Sequence, residues 1–168
     1  MSYQFMIDLE GTSLTAVEKH LLNHPHVGSV ILFSRNFVAL DQLEQLLHAI
    51  RDIRPDLIIT VDQEGGVIQR LQRHGFRSLP AARVYGEIFD LAPSAGLQYA
   101  MHMGKTMAEA LRSCGIHLGL APVLDLHCDK SPIIAGLDRA FHVHPESVTQ
   151  LAGAFIQGMY QAGMPAVG

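Results

Sequence analysis

Short apolar runs that each stop at a charged residue recur along this chain, with helical-period blocks between them. Phe5–Leu9 stops at Asp8 and Glu10, Val27–Phe33 at Arg35, Leu57–Val61 at Asp62, and Ile116–Val123 at Asp125. Runs of this length, rich in β-branched residues, have the pattern of buried strands. Strands alternating with helices imply parallel pairing through right-handed crossovers. Polar residues past the C-terminal edge of every strand fit a (β/α) barrel, in which that edge carries the ligand site. A doubly wound sheet would show them less uniformly. Met164–Val167 reads as the start of a fifth strand. A closed eight-stranded barrel typically takes about 250 residues, and this chain has 168. The expected fold class is therefore α/β: residues 1–168 form the N-terminal portion, about five strands and four main helices, of a (β/α)8 TIM barrel.

The helical blocks carry their own signals. Thr15 with Glu18 three residues on forms a capping box ahead of Ala16–Leu22. Leu40, Leu43, Leu46, Leu47 and Ile50 make one apolar stripe. Ala81–Phe89 reads as a short helix. Pro93-Ser94 opens a stronger one, whose stripe is Met103, Met107, Ala110, Leu111 and Cys114. That stripe places Cys114 in the core, with Gly115 as the C-terminal cap. Pro145 suits the first turn of the last helix, striped by Val148, Leu151, Ala152, Phe155, Ile156 and Met159. Two long connections remain, from Asp62 to Pro80 and from Asp125 to His144. Long loops in compact domains are often functional.

Composition removes several classes of function. Lys and Arg number 12 against 16 Asp and Glu, with no basic run, which argues against a nucleic-acid surface. The apolar stretches are too short to span a bilayer. No basic region precedes an apolar run at the N-terminus, so no signal peptide is expected. Cys114 and Cys128 fit no disulfide framework, and a cytoplasmic, reducing setting is the default. His127, Cys128, Asp129, His142 and His144 match no strong zinc spacing. No metal and no cofactor are expected.

The stretch with most chemistry is Leu57–Arg70, L-I-I-T-V-D-Q-E-G-G-V-I-Q-R. A buried strand runs into Asp62 and Glu64, then Gly65-Gly66 turns the chain. Val67, Ile68 and Leu71 suit a small packed hairpin, and Arg70 closes the run. A carboxylate and an arginine at a strand's C-terminal end suit a hydroxyl-rich, uncharged ligand. They also suit a structural ion pair. Arg35 and Asn36 sit at the same end and fit either a ligand-facing or a loop-capping role.

The run V-D-Q-E-G-G-V-I-Q-R (Val61–Arg70) resembles the signature of the bacterial β-N-acetylglucosaminidases of glycoside hydrolase family 3. The surrounding landmarks agree: D-L-E-G (Asp8–Gly11), H-P-x-V-G then I-L-F-S-R-N (His24–Asn36), L-P-A-A (Leu79–Ala82), L-A-P-V-L-D (Leu120–Asp125), G-L-D-R-A-F (Gly136–Phe141) and G-M-Y-Q-A-G-M (Gly158–Met164). The resemblance covers essentially the whole chain. It implies a cytoplasmic, retaining exo-glycosidase that removes terminal β-linked N-acetylglucosamine from muropeptides in cell-wall recycling.

By the same resemblance Asp62, Arg70 and Arg139 bind the sugar. Glu64, Asp125 and Asp138 are candidate supporting residues beside them, read from their positions and not from the resemblance. Around Arg139 the family's usual G-E-R-S-F reads L-D-R-A-F here, so the arginine's supporting hydrogen bonds are expected to differ. None of the 168 residues matches the family's nucleophilic aspartate or its acid/base D-x-H loop. The chain alone is expected to lack glycosidase activity. Its open sheet edges are expected to favour self-association. Two other readings stand beside this one. The first is a non-catalytic sugar-binding or regulatory half-barrel. The second, a phosphate-handling barrel, lacks its Gly-rich phosphate loop in this portion.

Overall fold

The computed structural model describes residues 5–167. Met1–Gln4, the first residues behind the expected lack of a leader, and Gly168 lie outside the described residues. In chain order the elements are β1 (Phe5–Asp8), α1 (Ala16–Leu22), β2 (Val27–Leu32), α2 (Leu40–Ile53) and β3 (Ile58–Val61). There follow β4 (Gln63–Gly65), β5 (Ile68–Gln69), α3 (Ala82–Leu91), α4 (Pro93–Ser113), β6 (Leu118–Gly119) and α5 (Pro145–Gln161). Short 3-10 turns lie at Ser34–Asn36 and Ala135–Leu137.

Four strands form one parallel sheet in the order β1-β2-β3-β6, and β4 with β5 forms a separate antiparallel hairpin. The sheet order follows the chain order without reversing. A doubly wound sheet reverses at its switch point, whereas a barrel adds each strand beside the last. The register pairs Val30 with Ile59 and Leu32 with Val61, so these apolar side chains share one buried face.

The helices form where the apolar period predicts. The capping box is present: Thr15 Oγ1 accepts the Glu18 N–H at 3.2 Å, and Glu18 accepts the Thr15 N–H at 2.7 Å. Glu18 also accepts the Glu10 N–H at 2.6 Å, which ties α1 to the loop after β1. Leu43, Leu46, Leu47 and Ile50 of α2 are buried, while Leu40, at the first turn, stays exposed. Helices α4 and α5 approach closely through glycines. A Cβ at Gly104 would lie 2.2 Å from the Phe155 carbonyl oxygen, and one at Gly158 would lie 1.9 Å from that of Met101. Tyr85, Phe141 and Phe155 fill the space beside them. Burial, with Tyr99 close by, pushes the Tyr85 phenol well up.

Three expectations need correction. The fourth strand is Leu118–Gly119, not Ile116–Val123. Before it, the His117 ring replaces a strand partner: Nδ1 accepts the Ile59 N–H at 2.9 Å. After it, Pro122 has no N–H to donate. Met164–Val167 forms no strand among the described residues; Val167 donates one hydrogen bond to the Ala121 carbonyl at 3.4 Å. Cys114 is half-buried at the end of α4 rather than enclosed. No helix of the described chain is long and apolar enough to cross a membrane.

Candidate functional site

At the C-terminal end of β3 the chain passes through Asp62 directly into the β4–β5 hairpin. Extended backbone sends alternate side chains to opposite sides. Gln63 therefore points inward and is buried, while Asp62 and Glu64 stay half-buried on the other side. Gln63 grips Leu71 twice, donating to its carbonyl at 3.0 Å and accepting its N–H at 3.1 Å. Gln69, also buried, donates to the carbonyls of Leu71 and Arg77 and accepts the Leu79 N–H at 2.8 Å. Two side-chain amides thus satisfy backbone groups that a longer sheet would have paired. Sequence reasoning missed this role for both glutamines.

The glycine pair serves the same loop. Gly65 has φ of +101°, and a Cβ there would lie 2.3 Å from the Pro80 carbonyl oxygen. The Gly66 N–H donates to Leu79 at 2.9 Å. It is therefore not aimed at the Glu64 carboxylate.

Two ion pairs stand on this hairpin. Arg70 donates to Asp62 at 3.3 Å. Arg139, arriving from the loop after β6, meets Glu64 in a two-pronged fork, with Nε and Nη2 each 2.7 Å from a carboxylate oxygen. The second pair joins residues 75 positions apart. Arginine's planar fork matches carboxylate geometry, so such a pair fixes orientation as well as charge. The Glu64 hydrogen bonds raise the Arg139 pKa further, against partial burial, and the charges of Glu64, Asp125 and Asp62 add to the rise. The guanidinium is permanently charged.

The predicted site residues divide accordingly. Asp62, Glu64, Arg70 and Arg139 converge at the sheet's C-terminal edge. Asp125 is exposed but acts on Arg139 through its charge. Asp138 does not join them. It is exposed, with φ of +52°, and its carbonyl accepts the Arg83 N–H at 3.2 Å. Its part is to turn the chain so that Arg139 faces the hairpin. Arg35 resolves as a loop cap: it pairs with Asp8 and donates to the Leu9 carbonyl at 2.8 Å. Asn36 is fully buried and donates to Leu9 and Gly11 carbonyls.

Phe33, which the sequence reading used only as a strand end, sits beneath two cations. The guanidinium carbons of Arg35 and Arg70 lie 4.6 and 5.7 Å from its ring centre. The histidines of the second long loop lie in separate pairs, His127 with Asp129 at 3.3 Å and His142 with Asp90 at 2.8 Å.

The model of the glycosyl hydrolase family 3 N-terminal domain matches residues 5–168. The chain belongs to glycoside hydrolase family 3. A β-hexosaminidase of Thioalkalivibrio sulfidiphilus is 49% identical over 164 residues, which are 97% of this chain and 46% of that protein. One from Pseudomonas aeruginosa is 46% identical over 168 residues, covering all of this chain and 48% of its own length. The family 3 chain thus spans about half the length of the curated relatives it matches. Among solved structures, NagZ from Neisseria gonorrhoeae in complex with N-trifluoroacetyl-D-glucosamine superposes with a TM-score of 0.93 at 40% identity. That match covers 98% of this chain and 48% of the other. A family 3 β-N-acetylglucosaminidase from Paenibacillus gives 0.85 at 27% identity, covering 96% of this chain and 30% of its own. The sheet described above is accordingly part of the family's TIM-barrel-like domain.

Proposed function

We propose that the rim of Asp62, Arg70, Glu64 and Arg139 binds a terminal N-acetylglucosamine residue as part of a retaining β-N-acetylhexosaminidase. The observation that carries this is the convergence of two carboxylate–arginine pairs at the C-terminal edge of a parallel sheet, in a family 3 chain. Asp62 accepts hydroxyl protons, and Arg70 donates to neighbouring oxygens. Arg139 is held in place by Glu64 and presents its remaining donors to the same sugar. The complex of the Neisseria relative with an N-acylated glucosamine supports this choice of ligand.

The natural substrates on this reading are N-acetylglucosamine-bearing muropeptides, hydrolysed in the cytoplasm during peptidoglycan recycling. A retaining glycosidase forms a glycosyl-enzyme that water then cleaves. Asp62 and Glu64 are both engaged with arginines, so the part of Asp62 is to hold the sugar and that of Glu64 is to hold Arg139 against it. The 168 residues alone bind without turning over. They also self-associate, through the apolar side chains of Met6 and Ile58, about half exposed on the sheet.

Calorimetric titration with N-acetylglucosamine tests the reading. Saturable binding that weakens at least tenfold in Asp62→Asn is expected, with no release of a chromogenic aglycone. Absence of binding to the folded chain would refute the sugar site. Turnover above the Asp62→Asn control would refute the division between binding and catalysis.

A further inference from the structure

Helix α3 opens without a cap of its own. Its N-cap is Ala81, which has no side-chain oxygen, so the N–H groups of the first turn need partners from elsewhere. One comes from the loop after β6: the Asp138 carbonyl accepts the Arg83 N–H at 3.2 Å. The next residue in that loop is Arg139.

Two further contacts lie along the same side of the helix. Gly86 stands so close to the Phe141 carbonyl oxygen that a Cβ there would lie 1.9 Å from it. Asp90, about half exposed, meets the buried His142 ring, with Oδ1 2.8 Å from Nε2. The His142 Nδ1 accepts the His144 N–H at 3.0 Å, so Nδ1 carries no proton and Nε2 is the donor to Asp90. Positions 83, 86 and 90 recur at helical spacing, and they meet residues 138, 141 and 142 in that order. The His142 carbonyl also accepts the His127 N–H at 2.9 Å, which joins the two stems of the loop at the place where α3 holds it.

The segment that leads into α3 holds the other half of the ion pair. The Leu79 carbonyl accepts the Gly66 N–H at 2.9 Å, and a Cβ at Gly66 would lie 2.8 Å from that of Ala81. Residues 79–90 therefore touch the hairpin that carries Glu64 at one end and the loop that carries Arg139 along the rest. The fork between the two side chains sets two nitrogens 2.7 Å from two oxygens. A planar guanidinium reaches that geometry only when its backbone is held in place and direction.

We propose that α3 sets the placement of Arg139 against Glu64, with Gly86 and Asp90 as positioning residues. Gly86 lets the loop lie directly on the helix, and Asp90 holds His142, three residues beyond the arginine. Neither belongs to the rim itself. What Arg139 does once placed rests on the sugar-binding reading above.

The test reads the Arg139 Nε–H resonance in the full 168-residue chain, assigned by its loss in Arg139→Lys. Bonded to Glu64 at 2.7 Å, this proton should exchange slowly with water. Asp90→Ala, at a half-exposed position, should make it exchange about fivefold faster, roughly the worth of one hydrogen bond. Asp90→Asn keeps an acceptor for His142 and should restore the slow rate. Gly86→Ala should also speed exchange, although alanine favours helix over glycine. The Arg35 Nε–H, bonded to the Leu9 carbonyl at 2.8 Å, serves as the control and should not change. No change at Arg139, or equal acceleration at both arginines, overturns the proposal. Calorimetry with N-acetylglucosamine reads the consequence: binding about fivefold weaker in Asp90→Ala, with no further loss when Asp90→Ala is added to Arg139→Lys. Losses that simply add overturn the positioning role. If N-acetylglucosamine fails to bind the folded chain, the sugar reading falls, while faster exchange at Arg139 alone still upholds the placement by α3.

Discussion

Arg139 and Glu64 show how one residue can be legible while its partner's work is not. The arginine stands out in the string G-L-D-R-A-F. Nothing in spacing says that its carboxylate lies 75 residues earlier. Only the fold brings the two loops together, and the pair then positions Arg139. Glu64→Gln removes the charge but keeps the shape. It should cost roughly 1–3 kcal/mol, the usual range for disturbing hydrogen bonds to a charged group, and should weaken N-acetylglucosamine binding. Chemical denaturation of the two proteins measures the first effect. An unchanged midpoint would mean that the pair contributes orientation alone. Gln63 and Gln69 are a further instance: they stand inside the signature string, yet nothing in the string says that both are buried and pair with backbone.

At the scale of elements, helix–helix approach and strand length respond to single positions. Gly158→Ala places a methyl carbon against the Met101 carbonyl, far inside contact distance. Prising α4 from α5 should cost several kcal/mol and lower the melting temperature by roughly 10 °C or more. By contrast Gly153→Ala, where nothing lies within 4 Å of the added carbon, should be neutral or slightly stabilising, by up to ~1 kcal/mol. Thermal melts of the pair separate close packing from helix propensity.

Two elements also carry pH dependence. Burial pushes the His117 pKa down, and Arg51 and Arg112 push it the same way. The neutral ring accepts the Ile59 N–H where β3 meets β6. A histidine whose folded value lies below its unfolded one loses its stabilising effect as pH falls from about 6.5 through the folded value. For Glu18, burial alone would raise the pKa, but hydrogen bonds from the Thr15 and Glu10 amides and the Thr15 hydroxyl outweigh it and lower the value. Its contribution is present above the ordinary glutamate range and is lost as pH falls through the depressed value. The stability curve should therefore decline in two stages on acidification. His117→Asn should remove the upper stage, and Glu18→Gln the lower.

The elements themselves were largely legible. Capping residues, apolar stripes and charged strand ends are local signals, and α1, α2, α4, α5 and the first three strands follow them. The fourth strand was overdrawn because apolar composition runs on past the point where His117 and Pro122 end the pairing. The fifth was overdrawn for a similar reason: an apolar run shows that a segment can pair, not that it finds a ladder.

For the whole molecule, the unreversed strand order and the gathering of charge at one sheet edge connect fold to chemistry. On the sugar-binding reading proposed above that edge is the rim of the site, and the residues described there are the Asp62–Arg70 and Glu64–Arg139 pairs. Met6 and Ile58 leave apolar surface exposed, so sedimentation should show association that grows with protein concentration and falls in Ile58→Lys. A monomer at all concentrations would contradict that reading. The most direct test of the central claim is a map of amide chemical shifts during titration with N-acetylglucosamine. Saturable movement confined to Val61–Arg70 and the amides around Arg139, and lost in Asp62→Asn, is the predicted result. Saturable binding that leaves those amides still and moves another face of the sheet would contradict it.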